Sequence, residues 1–248
     1  MSGHSKWSKI KRQKAVTDGK RSQSWARIAR DIMIAAREGG GDPSMNARLA
    51  LAVDKAKSDN MPKDNVDRAI KRGTGEIAGA DYEEMSYEGY GPCGVAIFVD
   101  CLTDNTNRTV ADVRHVFNKY GGSMGQTGSV AFLFLRKGSI EVPAEGLDEV
   151  ELFDLVADAG GEDLVLEDDT FTITTPLESF GSVQAALRAK GIEPSESNLI
   201  RVPTTTVSVD PDVAKKLGTL IEMLEDMQDV QAVTTTLNFD EATIEAMS

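Results

Sequence analysis

Seven cations, Lys6, Lys9, Lys11, Arg12, Lys14, Lys20 and Arg21, fall within sixteen positions near the amino terminus, interleaved with Gly3, Ser5, Ser8 and Gly19. Lysine and arginine at that density neutralise phosphates. Each such contact releases counterions condensed on a nucleic acid, so several together give strongly salt-dependent affinity. The small residues leave the backbone free to follow a groove. Trp7 either stacks on an unpaired base or anchors the segment to the rest of the chain, and anchoring is the simpler role. Helical segments downstream add Arg27, Lys71 and Arg72 to the same candidate surface. Arg108, in TDNTNRT (103–109), is a further guanidinium able to meet a phosphate or carboxylate bidentately. In that loop Asn105, Thr106 or Asn107 serves more simply as a helix cap.

Residues that catalysis draws on are sparse. His4 and His115 are the two histidines, and neither has a ligand partner at metal-binding spacing. Cys93 and Cys101 make neither a disulfide framework nor a metal pair, which suits a reducing cytoplasm. The Gly-rich GGSMGQTGS (121–129) has no Walker or G-x-G-x-x-G pattern. It also runs from helix into strand, whereas dinucleotide loops run from strand into helix. Its glycines suit helix termination and tight turning, with a phosphate on its backbone N–H groups as the lesser alternative. The carboxylates of 141–169 and 222–229 have no positioned histidine, lysine or metal beside them and read as solvated acidic faces. No enzyme activity, metal, cofactor or small-molecule substrate is therefore expected.

Charge is divided unevenly. The formal net charge is −13, yet residues 1–75 hold 17 Lys and Arg against 8 Asp and Glu, while 76–248 hold 10 against 32. Such asymmetry points to a nucleic-acid-facing part joined to a solubilising part. No apolar run approaches the ~20 residues of a membrane span. The amino terminus lacks the apolar stretch of a secretory signal, so a cytoplasmic protein without a membrane partner is expected.

The elements that must position these residues begin after a loosely ordered basic arm at 2–21. Helical spacing of Trp25, Ile28, Ala29, Ile32, Met33 and Ala36 predicts a first helix from Ser22. A second fits 43–59, and a third opens at Pro62 and ends at Gly73. Arg27, Arg30, Lys55, Lys57, Lys63, Arg68, Lys71 and Arg72 are placed on the outer faces of this bundle. Beyond residue 80 the pattern is two β-α-β pieces, near 85–135 and 204–240, flanking a β-α-β-β-α-β run of ferredoxin-like order. Strands are expected at 94–102, 129–135 and 204–209 among others. The expected fold is α+β: a three-helix bundle with a basic arm, then two ferredoxin-like α/β domains, one inserted into the other. The expected divisions are 1–78, a discontinuous 79–135 with 204–248, and an inserted 136–203.

Four long motifs, SGHSKWSKIKRQKAVTDGKR, MPKDNVDRAIKRGTGE, YEGYGPCGVAIFVDCLTDNTNRTVADVR and GGSMGQTGSVAFLF, resemble the YebC/PmpR family in order and over essentially the whole chain. The resemblance implies an N-terminal helical domain and two α/β domains, one discontinuous. It implies a probable transcriptional regulator that binds DNA. It also implies a link to translation, since mitochondrial relatives are translational activators. Bacterial members are associated with ribosomes, ribosomal RNA or tRNA and relief of stalling at proline runs. No catalytic residues attach to the family. The family motif begins at Ser2, which suggests a bacterial cytoplasmic member rather than one with a transit peptide.

Overall fold

The computed structural model describes residues 18–247. The chain is an α+β protein in which three N-terminal helices precede two four-stranded antiparallel sheets. Helix α1 spans Asp18–Gly39, α2 Ala47–Ser58 and α3 Lys63–Gly73. α1 starts at Asp18, four residues ahead of the expected Ser22. Asn46, not Pro43, opens α2. Its Oδ1 accepts from the Leu49 N–H at 3.1 Å, and its Nδ2 donates to the carbonyls of Ala35 (2.7 Å) and Gly40 (2.9 Å). One buried side chain thus caps α2 and satisfies carbonyls at the end of α1.

Ile28, Ile32, Ala35 and Ala36 pack against Leu49, Ala52 and Ala56 of α2 and Val66 and Ala69 of α3. A Cβ at Gly73 would lie 2.4 Å from the Met33 carbonyl oxygen. The close crossing of α3 over α1 therefore requires glycine there.

The first sheet has strands β1 (Glu83–Tyr90), β2 (Ala96–Thr103), β3 (Ser123–Met124) and β8 (Val230–Thr235), in the order β3-β1-β2-β8. Helices α4 (Thr106–Lys119) and α7 (Pro211–Glu225) cover one face. There Val113, Phe117, Leu217 and Ile221 meet Ile97, Val99 and Val233. The second sheet has β4 (Phe134–Pro143), β5 (Asp163–Glu167), β6 (Thr170–Pro176) and β7 (Glu196–Pro203), in the order β5-β6-β4-β7. Helices α5 (Glu149–Asp158) and α6 (Phe180–Ala189) pack with it around Ile140, Phe171 and Ile173. This is the ferredoxin-like arrangement, and it is inserted between β3 and α7 of the first sheet's domain. A short helix, α8 (Glu241–Met247), closes the described chain.

Three local expectations differ from the structure. The central hairpin partner β1 is not among the expected strands, and it pairs with β2 along its full length. The expected strand at 129–135 is a short 3-10 turn, Ala131–Leu133, that leads into β4. Glu88 accepts the N–H groups of Val130 and Ala131, which removes them from any ladder. The expected strand at 204–209 reduces to a single parallel bridge between Val207 and Leu237. The two sheets are joined by Arg201 of β7. Its Nε and Nη2 each donate to the Asp100 carboxylate of β2 at 3.0 Å, and its guanidinium lies 4.0 Å from the Phe98 ring centroid.

Candidate nucleic-acid interface

Helix α1 has two buried faces, and this decides which of its cations are free. One face carries Ile28, Ile32 and Ala35 into the bundle. The opposite face carries Gln23, Arg27, Arg30 and Ile34, spaced one helical turn apart, and Arg30 (3% exposed) and Ile34 are buried. Gln23 donates to the Asp226 carbonyl at 2.7 Å and Arg27 to the carbonyls of Glu225 and Met227. Arg30 donates to the Gln228 and Leu102 carbonyls and lies 3.8 Å from Asp229. Most of these acceptors are orphan carbonyls at the end of α7 and in the turn beyond it, at the negative end of that helix. Burial, followed by the charge of Arg30, lowers the pKa of Arg27. Arg27 and Arg30 thus seat the helical bundle on the first sheet's domain and are not on the outer surface where they were expected.

Asp229 is the hub of that seat. Arg108 donates to it at 2.7 Å, the Thr109 hydroxyl at 2.8 Å and the Thr103 hydroxyl at 3.2 Å. Burial works against its charge, but the bonds from Arg108 and Thr109 prevail and hold the carboxyl below its ordinary range. Arg108 also pairs with Asp104 at 2.8 Å, and the bonds to Asp229 and Asp104 raise its own pKa. Both bonds are made by Nη2, so one nitrogen of this half-exposed guanidinium is held by the protein's own carboxylates. Asn105 accepts the Arg108 N–H at 3.1 Å as the cap of α4.

The Gly-rich segment 121–129 likewise already holds an anion. Glu88, 3% exposed, accepts the N–H groups of Gly128, Val130 and Ala131 at 2.7–2.8 Å. Burial opposes its ionisation, yet three backbone donors keep the carboxyl below its ordinary range. At the end of the segment, the N–H of Gly128 and those of Val130 and Ala131 just beyond it are thus committed to this carboxylate.

Other expected site residues stand elsewhere. Lys6, Lys9, Lys11, Arg12 and Lys14, with His4 and Trp7, lie outside the described residues. Lys20 is placed in the first turn of α1, and Arg21 follows it as an exposed side chain. Lys71 and Arg72 lie in the last turn of α3 and are exposed, joined on the same helix by Lys63 and Arg68. Arg21, Lys63, Arg68, Lys71 and Arg72 form no ion pair among the described residues, whereas Arg37 pairs with Asp81, and Arg48 with Glu38 and Glu84. Arg68 and Arg72 border a groove between α1 and α3 that also includes Ser22, Trp25, Ala26, Ala29, Met33 and Asn65. The groove is not evident in the sequence, although Arg68 and Arg72 at i, i+4 are its visible signal.

His115 is exposed on α4, and Cys101 is buried, its thiol pushed up to about 12 first by burial and then by Asp100 and Asp229. Among the described residues no three His, Cys, Asp or Glu side chains gather in a way that could hold a metal ion, and no helix is long and apolar enough to cross a membrane.

The fold and site together define a class: a cationic helical unit seated on two antiparallel-sheet domains, with Arg21, Lys63, Arg68, Lys71 and Arg72 exposed on α1 and α3. Residues 5–76 match the TACO1/YebC protein N-terminal domain, and residues 82–237 match the TACO1/YebC second and third domain. The chain belongs to the TACO1/YebC family. A probable transcriptional regulatory protein of Brachyspira hyodysenteriae is 49% identical over 246 residues, covering 99% of this chain and all of that protein. One from Persephonella marina is 49% identical over the full length of both. The crystal structure of a conserved hypothetical protein from Aquifex aeolicus superposes with a TM-score of 0.81 at 40% identity, covering 89% of this chain and 91% of that one.

Proposed function

We propose that this protein is a non-enzymatic, cytoplasmic regulator of gene expression that binds nucleic acid through its N-terminal helical unit. The observation that carries this reading is the division of its cations. Arg21, Lys63, Arg68, Lys71 and Arg72 are free of carboxylates among the described residues, whereas Arg27, Arg30, Arg108 and Arg201 are spent on internal bonds. Free cations on the helical unit attract a polyanion, and the acidic remainder repels it, so a phosphate backbone is steered to that end of the molecule. In this reading residues 1–78 bind, while 79–135 with 204–248 and the inserted 136–203 form the body. Relatives carrying the name probable transcriptional regulatory protein support a duplex DNA target.

A specific observation favours RNA within the ribosome instead. The outward face of α3 mixes Lys63, Arg68, Lys71 and Arg72 with the exposed carboxylates Asp64 and Asp67. That is a poor surface for lying in a major groove, but two or three phosphates of a shaped RNA would meet it. The test is binding of the full chain to duplex DNA, structured RNA and ribosomes, each over a salt series. Ribosome or RNA binding with a steep salt slope, lost on deleting residues 2–21, supports the second reading. Sequence-selective duplex binding that survives physiological salt establishes the first, and no binding to any of the three overturns both.

A further inference from the structure

The groove between α1 and α3 combines features that a backbone-binding surface does not need. Its α1 side is Ser22, Ala26, Ala29 and Met33, a row of mostly small residues at spacing three to four. Small side chains here leave open the cleft between helices whose axes pack ~8–10 Å apart. Trp25 stands beside this row. Its Nε1 donates to the Asp59 carbonyl at 3.1 Å, and Ser24 donates to the Asp59 carboxylate. The indole is thereby fixed by the end of α2 before any ligand arrives, so little rotamer entropy remains to be lost on stacking. The α3 side is Asn65, Arg68 and Arg72. The two guanidinium groups leave the helix one turn apart, with Cβ atoms ~5–6 Å from each other, and have no carboxylate partner among the described residues. Ser22 and Asn65 likewise make no side-chain hydrogen bond among the described residues.

We propose that this groove seats an unpaired segment of RNA, with successive phosphates on Arg68 and Arg72 and a base on the apolar floor beside Trp25. The inference rests on the nucleic-acid reading above and names the strand that the site takes. Charge and shape together select the occupant. Arg68 and Arg72, with no carboxylate partner among the described residues, border the groove one helical turn apart as successive phosphates require. The flat Trp25 indole beside a small-residue floor offers a base a stacking face. An unpaired strand is the form of nucleic acid that can present a base edge-on into a cleft between two helices, since in a duplex the bases are stacked and paired. RNA is favoured over DNA by the two unengaged polar side chains, Ser22 and Asn65. A 2′-hydroxyl both donates and accepts, and it would satisfy either of them.

The test uses the full chain carrying Trp7→Phe, so that emission reports Trp25 alone. It is titrated with a single-stranded RNA 10-mer, the same sequence as DNA, and each as a duplex. The expected result is quenching of Trp25 by the single-stranded RNA, weaker binding by at least a fewfold for the DNA strand, and no quenching by either duplex. Arg68→Gln with Arg72→Gln is expected to lower the slope of log affinity against log salt by about 1.4, since each phosphate neutralised on a single strand contributes about 0.7. Ala29→Leu, which fills the groove without touching its charge, is expected to abolish quenching while circular dichroism confirms the native helix content. If the full chain binds RNA but quenching and salt slope are unchanged in both variants, the groove proposal is overturned and the wider nucleic-acid reading stands. Equal quenching by duplex also overturns it. If the full chain binds no nucleic acid at all, both fall together.

Discussion

Two arginine pairs lie within the first 75 residues and have opposite fates. Arg27 and Arg30 on α1 are drawn into the body of the protein, where they end on the carbonyls after α7 and on Asp229. Arg68 and Arg72 on α3 border an open groove and pair with no carboxylate among the described residues. The pairs are alike in composition and nearly alike in spacing. Helix position separates them: α1 is covered on two opposite faces, and α3 on one. Net charge over a segment therefore overstates the binding surface, because part of that charge is consumed in holding the segment to its neighbour.

That contrast breaks most severely at Asp229, the anion shared by Arg30 and Arg108. Its side chain is about a tenth exposed, and removing one partner of a buried ion pair costs about 3–5 kcal/mol, because the other, here Arg30, is left buried without its carboxylate. Asp229→Ala is accordingly expected to be the most destabilising of these changes in urea denaturation. It should also loosen the helical bundle from the first sheet's domain, which hydrogen exchange at Gln23–Ile34 would register. An Asp229→Ala protein with an unaltered urea midpoint would show that the seat is ornamental.

Glu88→Gln comes next. The amide keeps the shape but gives up the charge that three backbone N–H groups address, a loss of about 2 kcal/mol for bonds to an ionised acceptor. Because Glu88 is held below its ordinary value of 4.5 when folded, its contribution is fully present above that value. It is lost as pH falls through the lower, folded-state pKa. Acid titration of stability should therefore be shallower below pH ~4.5 in Glu88→Gln than in the native chain. Parallel acid limbs for the two proteins would contradict the assignment.

Much of this architecture is legible in residue patterns, and the failures have physical causes. The bundle helices, α4 and the ferredoxin-like order of the inserted sheet follow from periodicity, caps and glycines. β1 does not, because its outer residues Glu83, Glu84 and Met85 are exposed and its inner ones end in Gly89, which leaves little alternation to read. The second buried face of α1 is masked in a different way. Gln23, Arg27 and Arg30 look like solvent-facing residues until Ile34 is noticed on the same stripe. A buried isoleucine one turn beyond Arg30 is the available sign that this face also packs. The occupied Gly-rich segment could not be foreseen, since Glu88 is some forty positions from the N–H groups it accepts.

The gentlest substitutions sharpen the comparison best, because they hold chemistry constant. Arg27→Gln removes a guanidinium from the α7 carbonyls and is expected to cost about 1 kcal/mol, the ordinary scale of a single hydrogen bond. Its nucleic-acid affinity should be unchanged wherever the bundle stays folded, despite the missing positive charge. Arg72→Gln removes the same group from an exposed position, where substitutions usually stay within about 0.5 kcal/mol. Its urea midpoint should match the native chain, while its salt slope for RNA falls by about 0.7, the share of one neutralised phosphate. Crossing of the two outcomes, with Arg27→Gln binding weakly and Arg72→Gln unfolding early, would mean that the interface lies on the α1 face toward the body. A drop in affinity common to both would mean that total charge, rather than its placement, is what the nucleic acid senses.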